Sequence, residues 1–472
     1  MNRLFLRTRF KHQAALLVLL ACCLFASPAL AEEDLTPATE GSESRQSFST
    51  GTNFFDDAEI NGGLYSFRRY RTRYDVSTGS YETNLNHWSL QAGAEFSSGF
   101  IGDVIGFDFG AFASHDPFNK GAVDHEMGFV PWSDPWHPDW SKKNTKDDAS
   151  IYRAAVKAKA GPVWGKAGYY QPSGPGVLGV NWSFMPGTYR GFNLGADIEG
   201  LSIAFAWADE YKSPWYTGMN EFRKNDGESH IPWLWSLGAS YSFEQGLTLE
   251  VAYGASKGHL KNVHLKSRYA RDLAGGALTL GYHLYAMDDS DDSGLSDNDN
   301  FDGLATQHYL FSHFTRALWT LKLEGTYTRA PIDNAHQQGQ FAYRLTDRSG
   351  SSKGAYEVWW NARSDWNAHK EKAFYFGLER KLDDFMFIEG FYAGAGAAIG
   401  FDGEAYNTAE HFKEWAFTAD LGYIHQPGLF KGSFAKLHYT EYRNGTDKPS
   451  WSPYKNGFQS ERDLIFQVGI LF

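Results

Sequence analysis

Arg462-Asp-Leu-Ile-Phe-Gln-Val-Gly-Ile-Leu-Phe472 closes the sequence, and its side chains sort cleanly by parity. Leu464, Phe466, Val468, Ile470 and the terminal Phe472 fall on one face, opposite Ile465, Gln467, Gly469 and Leu471. Successive residues of a strand point to opposite sides, so the segment predicts one β-strand with a continuous apolar face that ends in an aromatic ring. A soluble sandwich would turn that face inward, and a membrane wall would turn it outward to lipid. Alternation alone leaves both readings open.

The same theme recurs upstream. Val163, Gly165, Ala167 and Tyr169 alternate with Trp164, Lys166, Gly168 and Tyr170; Trp319, Leu321, Leu323, Gly325 and Tyr327 alternate with Thr320, Lys322, Glu324, Thr326 and Thr328. One face is apolar with aromatic ends, and the other tolerates charge. Candidate strands fall near 62–75, 86–97, 102–113, 150–160, 162–172, 190–199, 200–210, 232–243, 246–257, 262–271, 275–286, 304–315, 317–329, 370–380, 386–400, 411–425, 431–443 and 462–472. That is about eighteen, an even number as bacterial single-chain barrels require.

Composition agrees. The 472 residues are 17% aromatic with 49 glycines, which argues against disorder, and beyond the N-terminus no segment approaches the roughly 20 apolar residues of a spanning helix. Residues 1–31 carry a basic start (Arg3, Arg7, Arg9, Lys11), an apolar run from Ala14 to Phe25 and Ala29-Leu30-Ala31 before Glu32, the pattern of a secretory signal peptide. Residues 32–58 read as a mobile lead-in and 59–472 as the barrel domain. Both cysteines, Cys22 and Cys23, leave with the leader, so the exported chain has neither disulfides nor thiol chemistry. Loss of the four leader cations leaves 40 basic against 56 acidic residues, a net charge of −16 that disfavours nucleic acid. An amphipathic final strand ending in Phe472 is similar to the assembly signal of outer-membrane barrels. Together these features predict an all-β, transmembrane antiparallel β-barrel of about 18 strands in the bacterial outer membrane, wide enough for an aqueous lumen.

In that setting some residues stand out. Arg69, Arg71 and Arg73 share one face of the first strand, Arg153, Lys157 and Lys159 share one face of another, and Lys166 follows on the next. A cation facing lipid costs roughly 2–4 kcal/mol at the bilayer midplane, so these side chains belong in a wet lumen or at its rim. They form a candidate basic ladder for polar or anionic solute groups, or simply a solvated wall. Proline and glycine exclude a regular strand through most of Pro172 to Gly191. That loop carries Trp182, Phe184, Met185 and Tyr189, which favour an inward fold as a constriction where rings stack on sugars, or pack on the wall for stability. Arg363, Asp365 and Asn367 in Trp359-Trp-Asn-Ala-Arg-Ser-Asp-Trp-Asn367 form a second candidate lining segment. The acidic run Asp288 to Asp302 lacks the glycine spacing and terminal glutamate of a known calcium loop and reads as a solvated external loop. No metal-ligand spacing, nucleophile elbow or phosphate loop is present, so no catalytic residues, metal or cofactor are expected.

Several runs are specific enough to carry a resemblance: Phe54-Phe-Asp-Asp leading into the arginine strand, Gly161-Pro-Val-Trp with Ala-Gly-Tyr-Tyr-Gln-Pro172, Trp182-Ser-Phe-Met-Pro-Gly-Thr-Tyr189, Asp209-Glu-Tyr-Lys-Ser-Pro-Trp215, Trp359-Trp with Arg-Ser-Asp365, and Lys436-Leu-His-Tyr-Thr-Glu-Tyr442 with Pro449-Ser-Trp451. The chain resembles the OprD-type family of outer-membrane porins, most of all its chitoporin branch. The resemblance implies a barrel acting as a monomer or loose trimer, a constricting loop from Gln171 to Gly191 and the basic ladder on the lumen wall. It also implies passive uptake of chitooligosaccharides. Expected partners are outer-membrane lipid and lipopolysaccharide, small hydrophilic solutes and the barrel-assembly machinery. Ser173-Gly-Pro-Gly-Val-Leu-Gly-Val180 and the aromatic Pro131-Trp-Ser-Asp-Pro-Trp-His-Pro138 depart from the family pattern where solute choice is set. A general or amino-acid and small-carboxylate channel is the alternative within the class, and a barrel hydrolase the alternative outside it.

Overall fold

The computed structural model describes residues 53–123, 128–180, 185–289, 301–332, 339–346, 354–385, 389–404, 411–445 and 459–472. Its strands are β1 (Glu59–Asp75), β2 (Ser80–Ser97), β3 (Ile105–Gly121), β4 (Asp148–Ala160), β5 (Val163–Tyr170), β6 (Thr188–Ile198), β7 (Leu201–Lys212), β8 (Asn220–Arg223), β9 (His230–Ile231), β10 (Leu234–Ser242), β11 (Leu247–Ser256), β12 (Leu260–Leu273), β13 (Gly276–Asp289), β14 (Ala305–Arg316), β15 (Trp319–Arg329), β16 (Lys372–Lys381), β17 (Phe391–Gly403), β18 (Phe412–Ile424), β19 (Phe434–Asn444) and β20 (Glu461–Leu471).

Consecutive strands pair antiparallel except β9 with β10, β7 pairs directly with β10, and β20 returns to β1. The short β8–β9 hairpin stands outside the wall, which leaves a closed barrel of 18 strands. The eighteen segments expected from alternation each correspond to one of them. The β8–β9 hairpin was not expected, because two to four residues are too few to show a period.

The alternation is read outward. Leu464, Phe466, Ile470 and Phe472 are exposed, whereas Glu461, Asp463 and Gln467 on the other face are buried. On β16, Phe374, Phe376 and Leu378 are exposed likewise. No second sheet covers these rings among the described residues, so the apolar face is the lipid face and the core sits inside the cylinder.

The two ends of the cylinder differ. Glu199-Gly200 joins β6 to β7 and Ala274-Gly275 joins β12 to β13, with positive φ at all four residues (43°, 85°, 53° and 74°) as the mirror-image hairpin turn requires. The opposite end carries the long connections 122–147, 171–187, 213–233 and 330–371. Short turns face the periplasm and long loops the exterior in such barrels, so both β1 and β20 meet at the periplasmic side. The signal-peptide reading of residues 1–31, most of the lead-in and most of the acidic run fall outside the described residues.

The lumen as candidate functional site

The predicted cations do point inward, and most are already held. Odd-numbered residues of β1 face the lumen, which buries Arg69 and Arg71. The Arg69 Nε donates to Asp463 at 3.0 Å across the β1–β20 seam. Arg73 meets Glu461 at 2.5 Å, Arg71 lies 3.8 Å from the same carboxylate, and Arg71 Nε donates to Asn84 at 2.8 Å. Arg153 pairs with Glu95 at 2.8 Å and Lys157 with Asp108 at 2.9 Å, both one or two strands away. Lys159 sits lower, 2.6 Å from Asp103 in the periplasmic β2–β3 turn. Lys166 donates to Ser173 Oγ at 2.7 Å. The row on this wall is therefore a set of donor–acceptor pairs that reach across one or two strands, with charge partly compensated.

Two loops fold in over the lumen. The first, 171–187, is tied at one end to β10, where Val177 N donates to Ser236 Oγ at 2.8 Å. Its other end reaches the β2–β4 sector, where Met185 packs with Phe112, Phe129 and Tyr152. Attachment to two wall sectors separated by β5, β6 and β7 makes it a bridge across part of the lumen.

The second, 330–371, does the same on the opposite side. Tyr343 OH lies 2.9 Å from His264 on β12, Trp360 Nε1 donates to Glu324 on β15 at 2.7 Å, and Ser364 donates to Glu414 on β18 at 2.7 Å. His438 on β19 meets the Asn361 carbonyl at 3.1 Å. Trp360 stacks on Tyr375 with centroids 5.6 Å apart, and Tyr285 meets Tyr343 and Tyr356 edge-on at 5.0 Å each. Glu357 in this loop lies 2.5 Å from Lys266. Burial pushes the Glu357 carboxyl up, but Lys266, and after it His283 and Arg268, hold it well below the usual carboxylate range. The two loops touch each other, Ala355 N donating to Val177 O at 3.1 Å.

The structure unites two groups that the sequence kept apart. Arg363 of the second lining segment pairs with Glu461 and comes within 4.0 Å of Asp463, so it joins Arg69, Arg71 and Arg73 around the same two carboxylates. Asn367 instead turns away, its Nδ2 donating to the Phe341 carbonyl at 2.6 Å, and Asp365 is half-buried. Met185 and Tyr189 are both buried in wall packing; Tyr189 lies on β6 against Tyr211 and Phe222, its hydroxyl donating to Gly179 O at 3.0 Å. Trp182 and Phe184 lie outside the described residues. Phe472 pairs with Gly62 through two backbone hydrogen bonds, 2.8 and 3.1 Å, at the barrel seam.

Glu461, Asp463, Glu95 and Asp108 are among the lumen residues that no sequence motif marks. Parity was the available signal, since Glu461 and Asp463 share the inward face of the final strand with Gln467. Lys212, buried with its ammonium 2.5 Å from Ser150 Oγ, adds a further inward cation.

A closed eighteen-strand wall, apolar outside and charged within, with two loops laid across its bore, defines an outer-membrane pore. Residues 52–464 match the family model described as outer membrane porin, OprD family, and the chain belongs to that family. It is 38% identical over 435 residues to the chitoporin of Escherichia coli (strain K12), covering 88% of this chain and 91% of the relative. Among solved structures it resembles Acinetobacter baumannii OccAB1, with a TM-score of 0.71, 15% identity and coverage of 90% of this chain and 99% of that one. It also resembles Pseudomonas aeruginosa OccD3, with a TM-score of 0.70, 15% identity and coverage of 92% and 96%. The protein is thus a bacterial outer-membrane porin that passes small solutes.

Proposed function

We propose that this porin takes up chitooligosaccharides by passive diffusion, without a catalytic step. The 38% identity to a protein named chitoporin, sustained over 88% of the chain, carries this reading. The wall chemistry supports it. A neutral N-acetylated sugar offers hydroxyl and acetamido groups that both donate and accept, and the lumen offers alternating donors and acceptors such as Arg153 with Glu95 and Lys157 with Asp108. Such contacts replace hydration without holding the solute so tightly that it stays, the condition for conduction. Trp182 and Phe184 of the first loop serve as stacking surfaces, and the barrel functions as a monomer or loose trimer inserted by the assembly machinery.

One observation favours a second reading, passage of small carboxylates: four guanidiniums, Arg69, Arg71, Arg73 and Arg363, gather on only two carboxylates, Glu461 and Asp463. Planar-bilayer conductance separates the two. Chitooligosaccharides are expected to block the current in a concentration-dependent way while maltooligosaccharides do not, and Trp182→Ala is expected to weaken the block and leave the open channel intact. Block by small carboxylates with no response to chitooligosaccharides would establish the second reading.

A further inference from the structure

One turn of the second inward loop is bent against its backbone preference. Asn361, Arg363 and Trp366 all take positive φ, 48°, 71° and 51°, and none is glycine. Asparagine tolerates that region, but an arginine and a tryptophan crowd their own Cβ there, so such a run persists only where neighbours hold it. Trp360 Nε1 donates to Glu324, Ser364 Oγ to Glu414 and Arg363 Nε to Glu461, which fixes the two ends and one side chain of the turn. The bend itself meets His438 of β19, whose Nε2 lies 3.1 Å from the Asn361 carbonyl.

The ring of His438 faces acceptors on both sides. Its Nδ1 lies 2.8 Å from Asp420 Oδ1, and its Nε2 lies 2.8 Å from Thr440 Oγ1 as well as close to the Asn361 carbonyl. A carboxylate and a carbonyl have no hydrogen to give, and Thr440 turns its own towards the same carbonyl at 3.5 Å. Both ring nitrogens therefore carry hydrogen, and the ring is an imidazolium that joins wall to loop. A neutral ring keeps one hydrogen and satisfies one end only. The side chain is 3% exposed, so the end it drops is cut off from bulk water. The charged and titratable groups around it are Asp420, Lys436 at 3.3 Å from the same carboxylate, and Tyr375 of β16 beside that pair. On β20 the neutral Ile465 pairs with His438, and Asp463 is the next inward residue.

Two residues along the same turn, the Arg363 guanidinium pairs with Glu461 and stands 4.0 Å from Asp463. We propose that His438, with both ring nitrogens protonated, is the positioning residue that holds this strained turn and so sets Arg363 against the two carboxylates, and that loss of one ring proton releases the turn and shifts the pore towards cations. Without the bridge the left-handed residues relax towards ordinary backbone, Arg363 leaves Glu461 and Asp463 less compensated, and the lumen at that height becomes more negative. The effect concerns small ions and is independent of which solute the porin prefers.

The test is the reversal potential of the purified barrel in planar bilayers under a potassium chloride gradient, read from about pH 5 to about pH 9, the range in which a histidine changes charge. The wild-type channel is expected to become about two- to fivefold more cation-selective across that range, the scale of one partly screened ion pair. His438→Gln, which has no second ring proton to lose, is expected to show no such shift. Arg363→Gln separates positioning from simple charge: with His438 intact but no guanidinium to place, most of the shift is expected to vanish, because it runs through Arg363 and not through the charge of the ring. A full-sized shift in His438→Gln, a shift that survives in Arg363→Gln, or a wild-type selectivity that stays flat over the range would each overturn the proposal. Should His438→Gln fail to assemble, Arg363→Gln decides alone.

Discussion

The arginines of the lumen and those of the outer rim lie only a strand apart, yet they live under different rules. Arg69 grips Asp463 on the inner side of the wall with only Arg363 at longer range, 4.0 Å, while Arg443 and Arg462 divide Glu441 between them on the outer side. Inside, opposite charges meet directly or diagonally across neighbouring strands and become part of the wall, giving a passing solute fixed polar contacts that it can exchange for water. Outside, Arg443 and Arg462 share one carboxylate and keep 32% and 48% of their side chains exposed. The same residue type is therefore buried in fixed wall contacts in one place and left facing solvent in the other.

The largest effect is expected from giving the lumen the rim's imbalance. Asp463→Ala leaves the buried Arg69 guanidinium without its carboxylate, which should cost about 3–5 kcal/mol, as for other buried pairs broken from one side. The temperature at which the folded band converts to the unfolded one on a gel should fall accordingly. Arg69→Met together with Asp463→Leu should recover most of the loss, because neither charge is then stranded. No recovery would mean that the pair acts through more than its own electrostatics.

A smaller effect sharpens the comparison by leaving every charge in place. Ser236→Ala removes the acceptor of the Val177 N–H that ties the first inward loop to β10, a loss of about 1 kcal/mol. Single-channel recordings should show more frequent current fluctuations with ion selectivity unchanged; a selectivity shift would mean that the loop also positions the charged wall.

The smallest concerns the external loops. His137 lies 2.9 Å from Asp134 and 3.0 Å from Glu228, linking the loop after β3 to the one after β7. Hydrogen bonds donated by its ring to Asp134, then to Glu228, raise its pKa above the ordinary value. The bridge is fully charged below that ordinary value and is lost as pH rises through the raised one, so the protection of residues 213–233 against hydrogen exchange, corrected for the intrinsic rate at each pH, should fall as pH rises above the ordinary histidine range. His137→Gln should remove that fall in protection.

The wall is legible in the sequence because lipid and lumen impose a period of two on every crossing. Its partnerships are not. Arg69 and Asp463 are 394 residues apart, and nothing local to either strand names the other. Register also slips at bulges such as Arg71/Thr72 and Gly110/Ala111, which no propensity marks. The first inward loop announces itself through Pro172, Gly174, Pro175 and Gly176. The second shows only its Trp359–Asn367 stretch, since Tyr343 and Tyr356 acquire meaning from strands β12 to β14 that they meet in space.

The seam between β1 and β20 carries a further consequence. Its pairing runs from Gly63 with Leu471 to Arg73 with Glu461, and the first strand must wait for the last residues of the chain before either edge is satisfied. Until then both ends present open backbone, and afterwards Arg69 with Asp463 and Arg73 with Glu461 rivet the join from the inside. Closure thus waits on both ends of the chain, and once closed, the cylinder has no easy place to unzip sideways into the lipid.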